Sequence, residues 1–173
     1  MISLVLATLP NVEDVLIRVD KYQELQFTRN LIGNTGTAQS PILPRLSKIT
    51  LINDFDRNSW MVETLNILMP FMALPQVRTI DLVGAISHRL NCWPCNSGCS
   101  AVTHISFHHS AVSGRSLKGL LSRCKAWEYF SYNLCHPHVH GRPSPAIGLD
   151  WDPRVVRDAL LKTAEDTLKM LTL

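Results

Sequence analysis

Residues 74–82 read Leu-Pro-Gln-Val-Arg-Thr-Ile-Asp-Leu, and they contain a spacing that returns along the whole chain. An apolar residue is followed by two residues of any kind, a second apolar residue, one residue of any kind and a third apolar residue. The six copies are Val12/Val15/Ile17, Leu46/Ile49/Leu51, Val77/Ile80/Leu82, Val102/Ile105/Phe107, Trp127/Phe130/Tyr132 and Leu168/Leu171/Leu173. Because self-similarity at intervals of about 20–50 residues is typical of repeat proteins, the spacing predicts a solenoid.

Each copy of this spacing has the pattern of a β-strand. Successive side chains of a strand point to opposite faces, so the second and third apolar positions of a copy point to the same face. In three copies a proline stands two residues before the first apolar position, at Pro10, Pro44 and Pro75. Because proline cannot continue a helix, these residues mark the passage from a helix into a strand.

Between the copies, apolar residues recur at helical spacing over 58–74, 113–125 and 152–167. Pro70 is expected to end or kink the first of these helices. Asp152 followed by Pro153 is the pattern of a helix N-terminus, with a capping residue and a proline at the first helical position. Strands that alternate with helices predict an α/β fold in which helical crossovers join parallel strands.

The copies begin at residues 12, 46, 77, 102, 127 and 168, so their starts are 34, 31, 25, 25 and 41 residues apart. The two shortest steps match a leucine-rich repeat of about 20–29 residues, and the longer ones require insertions. We expect one domain over 1–173, a leucine-rich-repeat-like horseshoe of about six irregular repeats, with insertions near 33–44, 84–101 and 136–153. Neither end has the polar cap of a solenoid, which favours a fragment of a longer protein over end-to-end association with another chain.

Composition argues against several classes of partner. Of the 173 residues, 46% are hydrophobic, and 17 basic residues against 14 acidic ones give a net charge of +3. Such a balance favours neither nucleic acid nor a membrane surface as the partner. The chain has five cysteines, and its first residues lack the positive charge of a secretory signal, so we expect an intracellular protein of the cytoplasm or nucleus.

Four stretches carry a family likeness: Leu-Pro-Asn-Val-Glu-Asp-Val-Leu-Ile at 9–17, the opening stretch at 74–82, and the segments 116–132 and 160–173. Together they resemble the leucine-rich-repeat region of fungal F-box proteins. In that family an F-box motif docks the protein onto the adaptor of a ubiquitin ligase, and the repeats hold the substrate. The resemblance therefore implies substrate recognition. No F-box-like stretch precedes the first copy, so the ligase role is not assigned to these 173 residues.

The strand phase places three rows of outward-facing residues side by side, and curved repeat arrays bind partners on such a face. The first row is Asp14, Lys48, Thr79, His104, Tyr129 and Met170; the second is Leu16, Thr50, Asp81, Ser106, Ser131 and Thr172; the third is Arg18, Ile52, Val83, His108 and Asn133. The mixture of polar and apolar groups suits a protein partner better than a phosphate backbone. The alternative is a face of merely solvated strand residues. The candidate contact residues are Asp14, Arg18, Lys48, Asp81, His104, His108, Tyr129 and Asn133.

Two loops contain side chains that bind metals. Cys92, Cys95 and Cys99 lie within eight residues of each other, and thiolates at this spacing reach one Zn²⁺. The second group is His136, His138 and His140. A zinc-binding domain or a metal-dependent enzyme is therefore the alternative function, against loops with free thiols and solvated imidazoles. We assign no catalytic residue and no cofactor, because the chain has neither a Gly-x-Ser-x-Gly elbow nor a phosphate-binding glycine loop.

Overall fold

The structure is a computed structural model, which describes residues 11–19, 43–53, 64–87, 100–134 and 152–173. Within these segments the chain forms seven β-strands and three α-helices. The strands are β1 (Asp14–Arg18), β2 (Lys48–Ile52), β3 (Thr79–Val83), β4 (Ile86–Ser87), β5 (His104–Val112), β6 (Tyr129–Leu134) and β7 (Met170–Thr172). The helices are α1 (Thr64–Met72), α2 (Gly114–Leu121) and α3 (Pro153–Ala164).

All strand pairs are parallel, and the strands follow one another across the sheet in chain order, β1-β2-β3-β5-β6-β7. The short strand β4 pairs with the far end of β5. The prediction of an α/β fold with a parallel sheet is confirmed. None of the helices in the described segments has the length and hydropathy needed to cross a lipid bilayer.

The register of the sheet confirms the first two predicted rows. Asp14 lies opposite Lys48, and the pairing continues through Thr79 and His104 to the last strand. The third row departs from one-to-one pairing at its end. The pairing of β5 with β6 shifts between Phe107 and Ser110, so Asn133 faces His108 and His109 together. His109 has a positive φ of 48° at this shift, which marks a β-bulge that adds a residue to β5.

One face of the sheet packs into the core. The second and third apolar positions of the central copies are almost fully buried, and they form one cluster with the buried side chains of all three helices. The first positions, including Leu46, Val77 and Trp127, are also buried. The helices therefore cover the same face of the sheet, as expected when every crossover has the same hand.

A ladder of backbone carbonyl groups holds the starts of the strands together. The carbonyl oxygen of Glu13 accepts hydrogen bonds from the N–H groups of Ser47 and Lys48, at 2.8 and 3.0 Å. The same pair of hydrogen bonds is repeated between each later pair of neighbouring strands across the sheet. The accepting carbonyl groups are those of Glu13, Ser47, Arg78, Thr103 and Glu128. A carbonyl oxygen has two lone pairs, and each member of this ladder uses both of them.

Buried polar side chains link neighbouring strands near their C-terminal ends. The Asn53 side-chain amide donates to the carbonyl of Gly84 at 3.1 Å. The Ser110 hydroxyl accepts from the Ala85 N–H at 3.1 Å. The Tyr132 hydroxyl accepts from the N–H of Val112 at 3.0 Å and donates to the carbonyl of Ser110 at 3.2 Å. These contacts satisfy buried backbone groups at the strand ends, and the two that Tyr132 makes lie where the pairing of β5 with β6 shifts.

The helix starts agree with prediction better than the helix ends. Asp152 caps α3 by accepting from the Arg154 N–H at 2.9 Å, with Pro153 at the first helical position. Ser113 caps α2, which ends at Leu121 rather than near residue 125. Helix α1 continues past Pro70 to Met72, so of the two expected effects of this proline the ending of the helix is wrong and the kink stays a prediction. The first residues of that predicted helix, 58–63, lie outside the described residues.

The predicted insertion near 84–101 is in part regular structure. Gly84 has a positive φ of 68°, and the chain then forms β4, a strand that the sequence does not predict. Farther along, Ser100 forms an isolated bridge with Cys124. Cys124 is buried, as its apolar position predicts, although it lies beyond the end of α2. The other predicted insertions, near 33–44 and 136–153, lie almost entirely outside the described residues.

We expect Ile80→Asp to unfold the protein. Ile80 is fully buried at the centre of the sheet, and an uncompensated charge there lowers the free energy of unfolding by about 3–5 kcal/mol. Thr79→Asp is the matched control, because Thr79 points to the opposite face beside Lys48. Urea denaturation followed by circular dichroism measures both variants. Equal stability of the two would contradict the assigned strand phase.

We expect Tyr132→Phe to lower the free energy of unfolding by about 1–3 kcal/mol, because it leaves the buried N–H of Val112 without its acceptor. Tyr129→Phe provides the control: Tyr129 lies on the other face of the same strand and is partly exposed. Loss of the Tyr129 hydroxyl should change the free energy of unfolding by less than about 0.5 kcal/mol. A loss of the same size in both variants would show that the strand-end contacts add nothing specific.

Candidate partner-binding face

The face of the sheet opposite the core is formed by the outward positions of the strands, and we call it the polar face. It comprises the three rows of residues that begin at Asp14, Leu16 and Arg18. Most of its side chains on the central strands are half-buried by their neighbours, while the outermost positions are exposed. In-register pairing makes this face continuous from β1 to β7.

A polar network crosses three strands of this face. The Lys48 ammonium lies 2.7 Å from one carboxylate oxygen of Asp81, and the Ser106 hydroxyl donates to the other. Asp14 lies opposite Lys48 on the adjoining strand and adds a second negative charge near the cation. Asp14, Lys48 and Asp81 are separate candidates in the sequence, and the structure brings them together.

The two ends of this ion pair stabilise each other's charged form. Burial would raise the pKa of Asp81, but hydrogen bonds from Lys48 and Ser106, together with the positive charge of Lys48, outweigh burial and hold that pKa below its ordinary value. The hydrogen bond to Asp81 raises the pKa of Lys48. Both residues are therefore fully ionised at neutral pH, and the pair leaves no net charge on this part of the face.

An aromatic pair occupies the next part of the polar face. The rings of His104 and Tyr129 are stacked, with centroids 6.0 Å apart and planes 13° from parallel. The Thr103 hydroxyl lies 2.8 Å from Nδ1 of His104 and fixes the ring's orientation. The row beside the pair carries only the short side chains of Ser106 and Ser131. Both aromatic side chains are half-buried, so each keeps part of its ring surface in contact with solvent.

The remaining candidates lie at the other end of the strands. Arg18, His108 and Asn133 are exposed. His108 lies near enough to Asp81 for its charge to favour the ionised carboxylate. Because of the bulge in β5, His108 and Asn133 are not a registered pair in the sheet.

The rim at the start of the strands carries an ion pair that the sequence analysis did not single out. Lys169 Nζ lies 2.8 Å from a carboxylate oxygen of Glu128, next to the aromatic pair. The hydrogen bond from Lys169 lowers the pKa of Glu128. If the alternation of side chains along β6 and β7 continued one residue farther back, Glu128 and Lys169 would point into the core. Each lies just before its strand, however, and its side chain reaches solvent. The sequence does contain a signal for this ion pair, because two successive copies carry opposite charges at the same position.

The metal-binding alternative falls outside the region that the structure describes. Cys92, Cys95 and Cys99 belong to the segment 88–99, and His136, His138 and His140 belong to 135–151. Elsewhere, in the described segments, no three histidine, cysteine, aspartate or glutamate side chains are grouped to hold a metal ion. The zinc hypothesis therefore stays a prediction from the sequence.

Comparison of the chain with models of known protein families, with curated proteins and with solved structures gave no match.

We expect Ser106→Ala to raise the pKa of Asp81, because it removes a hydrogen bond that favours the carboxylate. Ser131→Ala, in the same row on the next strand, should leave it unchanged. Carbon-detected NMR titration of the Asp81 carboxyl group measures both. Because the folded-state pKa is depressed, the stabilisation from this network is present above the ordinary value of 3.8 and is lost as the pH falls through the lower folded value. An unchanged titration in Ser106→Ala would contradict the network.

Proposed function

We propose that this chain is a non-catalytic protein-binding module, built as a leucine-rich-repeat-like solenoid whose partner contacts the polar face. The support for the repeat architecture is the chain-order parallel sheet, together with the same carbonyl ladder at every pair of neighbouring strands. Each repeat contributes one strand, and one strand adds one residue to each row of the face. Repeat arrays use such rows to contact extended surfaces of other proteins.

The His104–Tyr129 pair is the observation that carries this proposal. Aromatic side chains are enriched where protein interfaces bind most tightly, because they offer a large rigid surface with a polar tip. This pair stands at the junction of the repeats that begin at 102 and 127, flanked by short hydroxyl side chains that leave room for a partner group. Its stacking holds both rings in place before binding, which reduces the conformational entropy lost on association.

The charged part of the face complements the aromatic pair. Lys48 and Asp81 are already paired with each other, and the Lys48 side chain remains 41% exposed. Exposed charges at the edge of an interface affect the rate and selectivity of association more than its strength. We therefore assign the main binding energy to the aromatic pair, and orientation of the partner to the ionic network.

The class of partner is proposed from the resemblance to fungal F-box proteins. On that reading the chain forms the substrate-recognition repeats of an F-box-type ubiquitin-ligase receptor in the cytoplasm or nucleus. The bound protein would then be the substrate, and the F-box would lie in a separate segment of the receptor.

We expect His104→Ala and Tyr129→Ala each to weaken binding of a partner by at least about tenfold, which corresponds to about 1.4 kcal/mol, without unfolding the domain. Proteins retained from the source cells by the immobilised chain are purified, and their affinities are measured by calorimetry. Leu161→Ala is the control, because Leu161 is exposed on α3, away from the polar face. Affinities that do not change in the two face variants would contradict the proposed binding face.

The receptor role has its own test. Ubiquitylation of the purified partner should fall in cells when expression of this protein is silenced, and it should be restored by the wild-type chain within its receptor but not by the Tyr129→Ala form. Ubiquitylation that is independent of this protein would contradict the receptor role while leaving protein binding in place.

A further inference from the structure

Strand β5 is interrupted at two adjacent histidines, His108 and His109, which we call the histidine pair. The pairing of β5 with β6 shifts between Phe107 and Ser110, so the pair takes the place of one residue of a regular strand. His109 lies in the left-handed region, with a φ of 48°. Because this conformation brings Cβ close to the following carbonyl oxygen, a residue other than glycine adopts it at an energetic cost.

The bulge turns both side chains of the pair to the solvent side of the sheet. Phe107 and Ser110, the residues on either side, are both fully buried. In a regular strand, one of any two neighbouring residues would point into the core. His108 and His109 are instead both exposed, at the end of the polar face where Asn133 lies opposite them. The strand therefore presents two imidazoles from adjacent residues on the same side.

No contact within the described segments accounts for this arrangement. Neither imidazole of the pair takes part there in a hydrogen bond, an ion pair or a ring contact. Asp81, which lies within electrostatic range of His108, is already bound to Lys48. The ring of His104, on the same strand, differs because it is hydrogen-bonded to Thr103 and stacked on a tyrosine. Strained backbone is concentrated at functional sites, where bulges re-aim side chains.

We propose that the histidine pair binds a divalent transition-metal ion such as Zn²⁺ or Cu²⁺. A neutral imidazole offers one nitrogen lone pair, and imidazole is a preferred ligand of these ions. Once one imidazole holds the ion, binding of its neighbour is intramolecular, which raises the affinity. In the part of the chain that the structure describes, no third histidine, cysteine, aspartate or glutamate is grouped with the pair. Two protein ligands leave coordination positions for water or for a group of a bound partner.

The metal site is separate from the proposed binding of a partner protein, because it uses neither His104 nor Tyr129. It is also separate from the two predicted zinc loops, whose cysteines and histidines belong to other segments of the chain. The experiments below therefore follow the ring nitrogens of individual histidines, which distinguishes the pair from every other candidate ligand.

The direct test is a Zn²⁺ titration of the full chain, followed by nitrogen NMR of the histidine rings. One ring nitrogen of His108 and one of His109 should shift as Zn²⁺ is added, and both shifts should give the same dissociation constant. The ring nitrogens of His104 should not shift. Different dissociation constants for the two residues, or no shift in either, would overturn the proposal. It would also be overturned by shifts with the same dissociation constant in the loop histidines His136, His138 and His140.

Single variants show whether the two imidazoles act together. His109→Asn removes one imidazole and keeps the bulge, because asparagine readily adopts a positive φ. It should weaken Zn²⁺ binding at His108 by at least about tenfold, and His108→Asn should do the same at His109, because a lone imidazole has lost its chelating neighbour. Lys118→Asn, the same replacement at an exposed position of α2, is the control and should leave binding unchanged.

Circular dichroism establishes that each of the three variants is folded. Zn²⁺ binding at His108 that is unchanged in His109→Asn, or binding at His109 that is unchanged in His108→Asn, would contradict chelation by the pair.

Discussion

One carbonyl oxygen before each strand accepts two consecutive N–H groups of the next strand, and the rest of the structure depends on this repeated contact. It sets the register at the point where each strand begins. Because side chains alternate faces, a slip of one residue would turn every core residue of a strand to solvent. With the register held, Ile49, Ile80 and Ile105 stack in one buried column. The same constraint aligns the polar face and carries the pattern to β7.

The polar face has two parts: a network of side chains that bind one another, and an aromatic pair that a partner can contact. The network around Asp81 satisfies its charges within the sheet, so those side chains are oriented before any partner arrives. The stacked rings of His104 and Tyr129 are also held in place, but each keeps part of its surface in contact with solvent. A rigid sheet that presents pre-oriented groups loses little conformational entropy on binding. This division connects the geometry with the proposed role as a protein-binding module.

The sequence predicts the features of the fold that depend on the two-residue period of side chains along a strand. The strand positions, their parallel order and the first two rows of the polar face follow from where apolar residues recur, and the structure has them. The bulge at His109 was not predictable, because two adjacent polar histidines give no sign of which is the additional residue. Strand β4 was not predicted because two residues are too few to show an alternating pattern. Pro70 stays within α1 although proline loses its N–H and its ring crowds the carbonyl of the preceding turn, because burial of almost every side chain of this helix outweighs that cost. The ion pair of Asp81 depends on contacts between strands, which spacing along the chain does not reveal.

Methyl NMR gives the most direct measurement of the stacked register. Neighbouring parallel strands lie about 4.8 Å apart, so side chains that share a register position are in contact. We expect strong nuclear Overhauser cross-peaks from Ile80 to both Ile49 and Ile105, with a much weaker one between Ile49 and Ile105. Strong cross-peaks from Ile49 directly to Ile105, or none from Ile80 to either, would contradict the order and register on which the fold and the polar face depend.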